Sequence, residues 1–280
     1  MAGYGLPSAQ GRAAEVSPRR RAVFLTHSLA VLVAAELMFV FASVSQVEWL
    51  ALLGLILDIF LVVSLPILAS IIYVKDRPLA TFLGALLLAP LLRVVTLTIP
   101  PTSFSTVGWL AVVSVPLLLA AGAVMFAQRL SPRDVFLAPG ARRYLPLNVA
   151  LLIAGFGIGL VEFQVLRPDP WIDGPGSSQL PFAIVVVVLA TGFAEELIFR
   201  GILLSRAVPL LGRRGALMYT TAVFAALHIG YLSAPEFLVA FLLGLLFGIV
   251  VLLTRTIWGA AGAHGVANVL LYLVLPYGLL

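Results

Sequence analysis

The stretch Thr191-Gly-Phe-Ala-Glu-Glu-Leu-Ile-Phe-Arg-Gly201 places two adjacent carboxylates and an arginine inside an apolar run long enough to cross a membrane. A charged side chain near the centre of a bilayer costs at least about 2.5 kcal/mol to insert, so these three residues need partners. On a helix, Glu196 and Arg200 share a face, with the acid N-terminal to the base, which favours an ion pair. Glu195 lies about 100° further round the helix, away from Arg200. We therefore expect the two glutamates to have different roles, with Glu195 suited to act as a general base.

The composition of the whole chain indicates an all-α, polytopic helical membrane protein. Of its 280 residues, 62% are hydrophobic and 10% are charged, and the mean hydropathy is +1.14. Such a chain is too apolar to be a soluble domain. Its net charge of +5 comes from arginines in short clusters between apolar runs. This pattern is typical of cytoplasmic loops that face anionic membrane lipid, so no nucleic-acid partner is expected.

Apolar runs along the chain predict about nine (eight to nine) transmembrane helices. The predicted spans cover roughly residues 22–45, 47–74, 79–99, 106–128, 145–166, 179–205, 215–231, 236–254 and 257–278. Residues 1–21 are polar and predict a disordered cytoplasmic tail. The basic segment 129–144, which contains proline and glycine, predicts a divider between accessory amino-terminal helices in residues 22–144 and a catalytic helix bundle in residues 145–280.

The basic residues also predict an orientation in the membrane. If the amino terminus is cytoplasmic, 14 of the 17 lysines and arginines fall on the cytoplasmic side and the carboxyl terminus is extracytoplasmic. The short tail, the compact loops and the lack of organelle retention signals favour a prokaryotic plasma membrane. Glu195 and His264 lie about 14–17 Å from the cytoplasmic ends of their predicted helices. This depth predicts a water-filled cavity that opens to the cytoplasm.

Four other charged residues fall within the predicted spans beyond the first two positions of each span. Glu36, Asp58 and Arg93 come from three different spans at similar depth and predict a buried ion cluster, for which a structural role is favoured over catalysis. Glu162 is close to the end of its span and is predicted to be interfacial.

Three alternating glycines, Gly155, Gly157 and Gly159, lie in a predicted span with no preceding strand. They predict close helix packing rather than a dinucleotide-binding loop.

Two further pairs, Phe224-Ala-Ala-Leu-His228 and His264-Gly-Val-Ala-Asn268, each place two residues on one helix face. A single histidine on an apolar helix is more often structural than catalytic. Here, however, both histidines occur in the same carboxyl-terminal bundle as Glu195, Glu196 and Arg200, and helices can direct such groups into one interior cavity.

Two kinds of chemistry suit this set of residues. For peptide hydrolysis, Glu195 aided by His228 is a base for water, while His264 and Asn268 are donors to the developing oxyanion. Alternatively, Glu195, His228 and His264 are ligands that suit a divalent metal such as zinc. The residue types alone do not decide between the two. The absence of cysteine excludes a cysteine nucleophile and a thiolate zinc site.

These motifs resemble those of the CAAX prenyl protease and bacteriocin-processing (CPBP) family of intramembrane proteases, also called the Abi or type II CAAX endopeptidase family. The resemblance covers residues 179–275 and rests on three motifs, Glu-Glu-x-x-x-Arg, Phe-x-x-x-His and His-x-x-x-Asn. The matching residues are Glu195, Glu196, Arg200, Phe224, His228, His264 and Asn268.

The resemblance implies an intramembrane endopeptidase. Its first glutamate and the Phe-x-x-x-His histidine would act on water, and its last motif would stabilise the oxyanion. The family is often labelled metalloprotease, so zinc stays an option. Its substrate would be a membrane-associated peptide or protein, of the CAAX or the bacteriocin type.

Two alternatives to an enzyme stay open. The first is a catalytically silent membrane scaffold or immunity protein with the same fold. The second is a transporter or proton pathway, which would line a continuous route with Glu36, Asp58 and Glu162. The oligomeric state is open as well.

Overall fold

The computed structural model describes residues 16–278, and within them the secondary structure is helical without a strand. Three π-helical segments, Val188–Phe193, Leu197–Leu203 and Leu270–Val274, interrupt the α-helical runs. The α-helices are α1 (Pro18–Ser45), α2 (Glu48–Ile72), α3 (Arg77–Leu86), α4 (Leu88–Thr98), α5 (Thr106–Ala127), α6 (Leu145–Leu166), α7 (Leu180–Val187), α8 (Ala194–Glu196), α9 (Leu204–Ala226), α10 (Ala234–Thr254) and α11 (Trp258–Val269). The predicted all-α fold class is confirmed.

Among the described residues, eight helical segments are long and apolar enough to cross a membrane. The longest, Leu180–Ala226, has 47 residues, about twice what a single crossing needs. Gly212 interrupts it with non-helical backbone angles, φ 69° and ψ 171°. The sequence predicts two spans in this region, and the break at Gly212 accounts for the difference between nine predicted spans and eight observed segments. The chain is an integral, multi-pass membrane protein.

The first helix begins earlier than the sequence predicts. Ser17 accepts a hydrogen bond from the backbone N–H of Arg20 at 3.4 Å, and Pro18 occupies the first helical position. Residues 18–21 are therefore helical, and the predicted tail 1–21 is wrong for them. Residues 1–15 of that tail lie outside the described part of the chain.

The connections between helices lie at two ends of the bundle. The basic end comprises residues 73–76, 128–141 and 255–257 together with the break at Gly212. The far end comprises residues 46–47, 99–105, 167–179 and 227–233.

Residues 128–141 are packed into the molecule at the basic end. Val135 and Phe136 are buried, at 0% and 2% exposure. Phe136 accepts a hydrogen bond from the N–H of Ile257 at 2.9 Å, and Leu137 accepts one from the indole of Trp258 at 2.8 Å. The segment that the sequence predicts as a divider thus covers the start of α11.

Helix α6 approaches α11 at backbone distance through two glycines. A Cβ atom at Gly155 would lie 2.6 Å from the carbonyl oxygen of Ala263, and one at Gly159 would lie 2.8 Å from that of Ala267. The predicted close packing is confirmed at these two positions. Because Ala263 and Ala267 each precede a motif residue of α11, this contact fixes where that motif lies.

Candidate active site

Glu195 and Glu196 lie in α8, a single turn between two π-helical segments. π-helices are rare and occur frequently at functional sites, so the two π-helical segments around α8 indicate a candidate functional site. Gly192, in the first π segment, allows α11 to come close, since a Cβ there would lie 2.7 Å from the N–H nitrogen of Gly265. The local backbone thus brings α11 against the two glutamates.

Glu196 is completely buried and holds two partners with one oxygen. Its Oε1 accepts hydrogen bonds from Nη1 of Arg200 at 2.9 Å and from Nδ1 of His264 at 3.0 Å. The predicted Glu196–Arg200 pair is confirmed. The guanidinium carbon of Arg200 also lies 4.2 Å from the ring centroid of Phe224 and 5.7 Å from that of Phe247. Cation–π attraction to two rings stabilises this buried charge in place.

Glu195 is placed differently from Glu196. Its side chain is 24% exposed, whereas that of Glu196 is 0% exposed. Since a carboxylate only accepts, Nδ1 of His264 carries the proton in its bond to Glu196. The other nitrogen, Nε2, then faces Oε2 of Glu195 at 4.0 Å. The two glutamates therefore differ in environment, as the sequence predicts.

His228 follows the carboxyl-terminal end of α9, where its own motif orients it. Its Nδ1 donates to the backbone carbonyl of Phe224 at 2.9 Å, so Nε2 is the acceptor nitrogen of the ring. The ring of Phe224 lies 4.6 Å from that of His228 and 5.0 Å from that of Phe199. Phe224 thus orients His228 and packs on Arg200 at the same time.

Four of the six predicted catalytic residues line one cavity of about 500 Å³. They are Glu195, His228, His264 and Asn268. The other two are not among the lining residues: Glu196 binds His264 from outside the cavity, and Arg200 binds Glu196.

The cavity extends toward the far end of the bundle. Its lining includes Trp171 and Gly230 of the far end and Leu97 in the last turn of α4, and no residue from the described loops of the basic end. The prediction that the cavity opens on the side of the basic loops is wrong. The physical reason is the packing of residues 128–141, which approach the site helices closely enough that a Cβ at Gly201 would lie 3.0 Å from the carbonyl oxygen of Val135.

Two acidic residues of the cavity are not assigned to the candidate site by the sequence analysis. Glu162 is 8% exposed and lines the cavity, and its position at the membrane interface stays a prediction. Glu236 is 4% exposed and lines it too. One oxygen of each carboxylate is buried without a hydrogen-bond partner in the described part of the chain. Glu236 occurs in a helix-capping pattern, in which Ser233 accepts a hydrogen bond from the N–H of Glu236 at 3.2 Å. In the sequence, this pattern indicates only the start of a helix.

An ion pair from the amino-terminal helices forms another part of the cavity wall. Arg93 binds both oxygens of Glu36, each at 2.7 Å, and donates to the carbonyl of Leu227 at 2.6 Å. The predicted pairing is thus confirmed for Glu36 and Arg93. Asp58 interacts electrostatically with both, yet its oxygens have no hydrogen-bond partner among residues 16–278. The bond to Leu227 connects α1 and α4 to the residue that precedes His228.

Within residues 16–278, no three or more histidine or acidic side chains are arranged so that they could hold a metal ion. The predicted ligands Glu195, His228 and His264 share the cavity without forming such a group. The zinc alternative stays a prediction.

Comparison with known proteins bears on the same part of the chain. Residues 177–270, 94 of the 280, match the model of a family described as type II CAAX prenyl endopeptidase Rce1-like. No curated protein and no solved structure matches the chain. The matched segment contains all three motifs that form the candidate active site. Residues 177–270 are thus similar to the type II CAAX endopeptidases, and this match supports the resemblance of the three motifs to the CAAX prenyl protease and bacteriocin-processing family of intramembrane proteases.

Proposed function

We propose that the protein is an endopeptidase that hydrolyses a peptide bond of a membrane-associated peptide or protein with water activated by Glu195 and His228. The observation that carries this proposal is that four motif side chains line one interior cavity. They are His228, His264, Asn268 and Glu195, the less buried of the two glutamates. A general base, an acceptor imidazole and two amide or imidazole donors are what acyl transfer to water requires.

The proposed reaction begins with Glu195, which takes a proton from a water molecule while Nε2 of His228 accepts a hydrogen bond from the same water. The oxygen of that water forms a bond to the carbonyl carbon of the substrate. The carbonyl oxygen becomes an oxyanion, which receives hydrogen bonds from Nδ2 of Asn268 and from Nε2 of His264 when both ring nitrogens carry protons. The C–N bond then breaks, and the proton held by Glu195 passes to the leaving nitrogen.

The second glutamate acts on the ring rather than on substrate. Glu196 lies outside the cavity lining and binds Nδ1 of His264, which holds Nε2 toward Glu195. Arg200 neutralises Glu196 at 2.9 Å. A buried carboxylate that accepts from the far nitrogen of a working imidazole fixes its orientation and tautomer. Both residues are thus positioning residues for His264.

The charge and direction of the cavity favour a class of substrate. Glu162 and Glu236 add two carboxylates to its wall, so a segment that carries cationic side chains complements it. If the basic end is cytoplasmic, as the arginine distribution predicts, the cavity opens to the outside of a prokaryotic plasma membrane. A bacteriocin-type peptide fits this arrangement better than a prenylated CAAX tail presented in the cytoplasm.

A transport function is less well supported. A pathway needs access from both ends of the bundle, whereas the cavity lining includes no residue of the described basic-end loops. Glu36 and Glu162 line the cavity, but Asp58 is not among its lining residues.

The test uses purified protein in detergent, incubated with a peptide library with and without a chelator, with cleavage sites determined by mass spectrometry. We expect Glu195→Gln to lower the cleavage rate by about 10²–10⁴-fold, because it keeps the shape of the side chain and removes the base. His228→Ala should lower it as well. The matched control is Glu48→Gln, the same change at an exposed residue at the start of α2, which should cleave as the wild type does. Wild-type cleavage by both Glu195→Gln and His228→Ala would leave the scaffold interpretation standing.

A further inference from the structure

A second cavity, of about 600 Å³, lies at the basic end of the bundle. Three arginines line it, and each belongs to a different part of the fold: Arg77 starts α3, Arg129 follows α5, and Arg206 lies in α9. No acidic residue is among its lining residues in the described chain. The cavity therefore has a concentrated positive charge that the candidate active site does not use.

The acidic groups near this cavity already have other partners. Asp76 binds Arg21 at 2.5 Å. Asp134, which interacts electrostatically with Arg206, accepts hydrogen bonds from the N–H and the hydroxyl of Ser131 at 2.8 and 2.7 Å. These bonds hold the pKa of the Asp134 carboxyl below its usual range.

Arg206, which lines the cavity, has a buried donor atom that lacks a partner among the described residues. In the described part of the chain, Nε of Arg206 is buried without a hydrogen-bond acceptor. Because a charged donor group is costly to leave unsatisfied, the guanidinium of Arg206 favours an anionic ligand in the cavity that it lines. Arg77 and Arg129 are exposed and lie on the same cavity, where they add charge for the same ligand.

An apolar groove of about 650 Å³ adjoins the basic cavity, and the two share Tyr73, Thr81, Ala127 and Gln128. Small residues from three helices make the groove deep. They are Ala69, Ala80, Gly84, Ala120 and Ala123. The combined site therefore has a cationic mouth at the basic end and an apolar channel that continues from it along α2, α3 and α5.

We propose that this site binds one anionic glycerophospholipid, with its phosphate among Arg77, Arg129 and Arg206 and an acyl chain in the groove. Guanidinium groups form charge-assisted, often bidentate hydrogen bonds with phosphate oxygens, and basic pockets between membrane helices suit anionic headgroups. A soluble phosphate would satisfy the arginines but would leave the adjoining groove without a role. The cluster of three arginines and the adjoining apolar groove together favour a lipid as the ligand.

Such a lipid would join three parts of the molecule. Its headgroup would connect α3, the end of α5 and α9, and Arg206 lies six residues after Arg200 on the helical run that carries Glu195. The bound lipid would therefore brace the helix of the candidate active site from its basic end. This inference goes beyond the proposed peptidase function and does not depend on it.

The experiment measures lipid retention by native mass spectrometry on the full chain, purified in detergent and supplied with equal amounts of phosphatidylglycerol and phosphatidylcholine. We expect the wild type to retain phosphatidylglycerol selectively. Arg206→Gln should weaken this retention by about fivefold, because one cation near an anionic lipid surface contributes about that factor. The control Arg214→Gln changes an exposed arginine at the basic end that does not line the cavity. It should retain the lipid as the wild type does.

A second pair of variants tests the groove. Ala123→Phe adds a ring inside the groove, whereas Gly122→Phe adds one on the neighbouring position, where a Cβ meets nothing within 4 Å. We expect only Ala123→Phe to lose phosphatidylglycerol. Equal retention by Arg206→Gln and the wild type would overturn the proposal. Full displacement of the lipid by equimolar glycerol 1-phosphate would also overturn it, because the site would then recognise a soluble phosphate only.

Discussion

The side chain of Arg200 is buried among an acidic residue and two aromatic rings. It binds Glu196 at 2.9 Å, lies over two aromatic rings and is 3% exposed. Arg200→Ala leaves the carboxylate of Glu196 buried without its counter-charge, for which the expected loss is about 3–5 kcal/mol in the free energy of unfolding. Thermal unfolding in detergent measures this loss.

Two further variants separate charge from shape at this position. Arg200→Lys keeps the charge but loses the planar group that stacks on Phe224, so it should be destabilised as well, by a smaller amount. The double variant Glu196→Gln with Arg200→Ala should recover part of the stability, because the unpaired charge is gone. A single Arg200→Ala variant that unfolds at the wild-type temperature would contradict the buried pair.

Arg93 gives a prediction about the amino-terminal helices. Arg93→Gln removes the bonds to both oxygens of Glu36 and to the carbonyl of Leu227, which precedes His228. We expect it to lower thermal stability and also the cleavage rate, because the position of His228 is no longer held from α4. Arg167→Gln, at an exposed arginine of the far end, is the control. Wild-type cleavage by Arg93→Gln would mean that this contact does not position the histidine.

Some contacts between residues could be predicted from the sequence and others could not. The Glu196–Arg200 pair could be, because a spacing of four on a helix is a local relation. The bond between Glu196 and His264 spans 68 positions in the chain, and the bond from Arg93 to Leu227 spans 134. Such contacts depend on how the helices pack against one another, and the spacing of motif residues along the chain does not determine this packing. The sequence therefore indicated which residues belong together without indicating which atoms bond.

At the scale of helices, the contact between α6 and α11 gives a matched pair of variants. Gly159→Ala places a methyl group 2.8 Å from the carbonyl oxygen of Ala267, which must push α11 away and shift Asn268 with it. Gly157→Ala adds the same methyl group where nothing lies within 4 Å. We expect Gly159→Ala to lower both thermal stability and cleavage rate. Gly157→Ala should leave both unchanged or slightly raise stability, since alanine favours a helix. The same response from both variants would contradict the close approach.

The change of helix pitch around the two glutamates could not be predicted from the sequence. Counting at 3.6 residues per turn assumes a uniform α-helix. The segments Val188–Phe193 and Leu197–Leu203 instead have π-helical hydrogen bonds, and no residue type in them signals this. The prediction of membrane-spanning helices is confirmed nonetheless, because it depends on the length of each apolar run and not on the number of residues per helical turn.

For the whole molecule, the direction of the cavity gives a prediction that the absence of cysteine makes easy to test. Gly230→Cys places a thiol at the exposed far-end rim of the cavity, and Lys75→Cys places one in a loop of the basic end. We expect a membrane-impermeant maleimide to label the two variants from opposite sides of sealed vesicles, with Gly230→Cys labelled from the extracytoplasmic side. Labelling of both from one side would contradict the assignment of the two ends.

The opening of the cavity could not be predicted by counting residues. Such a count gives the depth of Glu195 from either end of its helix but does not show which end is covered. The cover is formed by residues 128–141, most of which belong to the basic, proline- and glycine-containing segment that the sequence predicts as a divider. Their two buried residues, Val135 and Phe136, are too short a signal to predict that the loop folds inward.

The bond from Arg93 to Leu227 has a consequence for how this protein can be divided. The family model matches residues 177–270, which suggests a self-contained module that could be cut out or transplanted. One wall of the reaction chamber, however, comes from α1, α4 and α5, through Glu36, Arg93 and Trp109. A fragment beginning at residue 145 would open that wall to lipid and would leave the carbonyl of Leu227 without its donor. The unit needed to enclose the candidate active site is therefore larger than the matched segment, and gene fusions or truncations that keep only that segment would remove the part of the cavity wall that α1, α4 and α5 form.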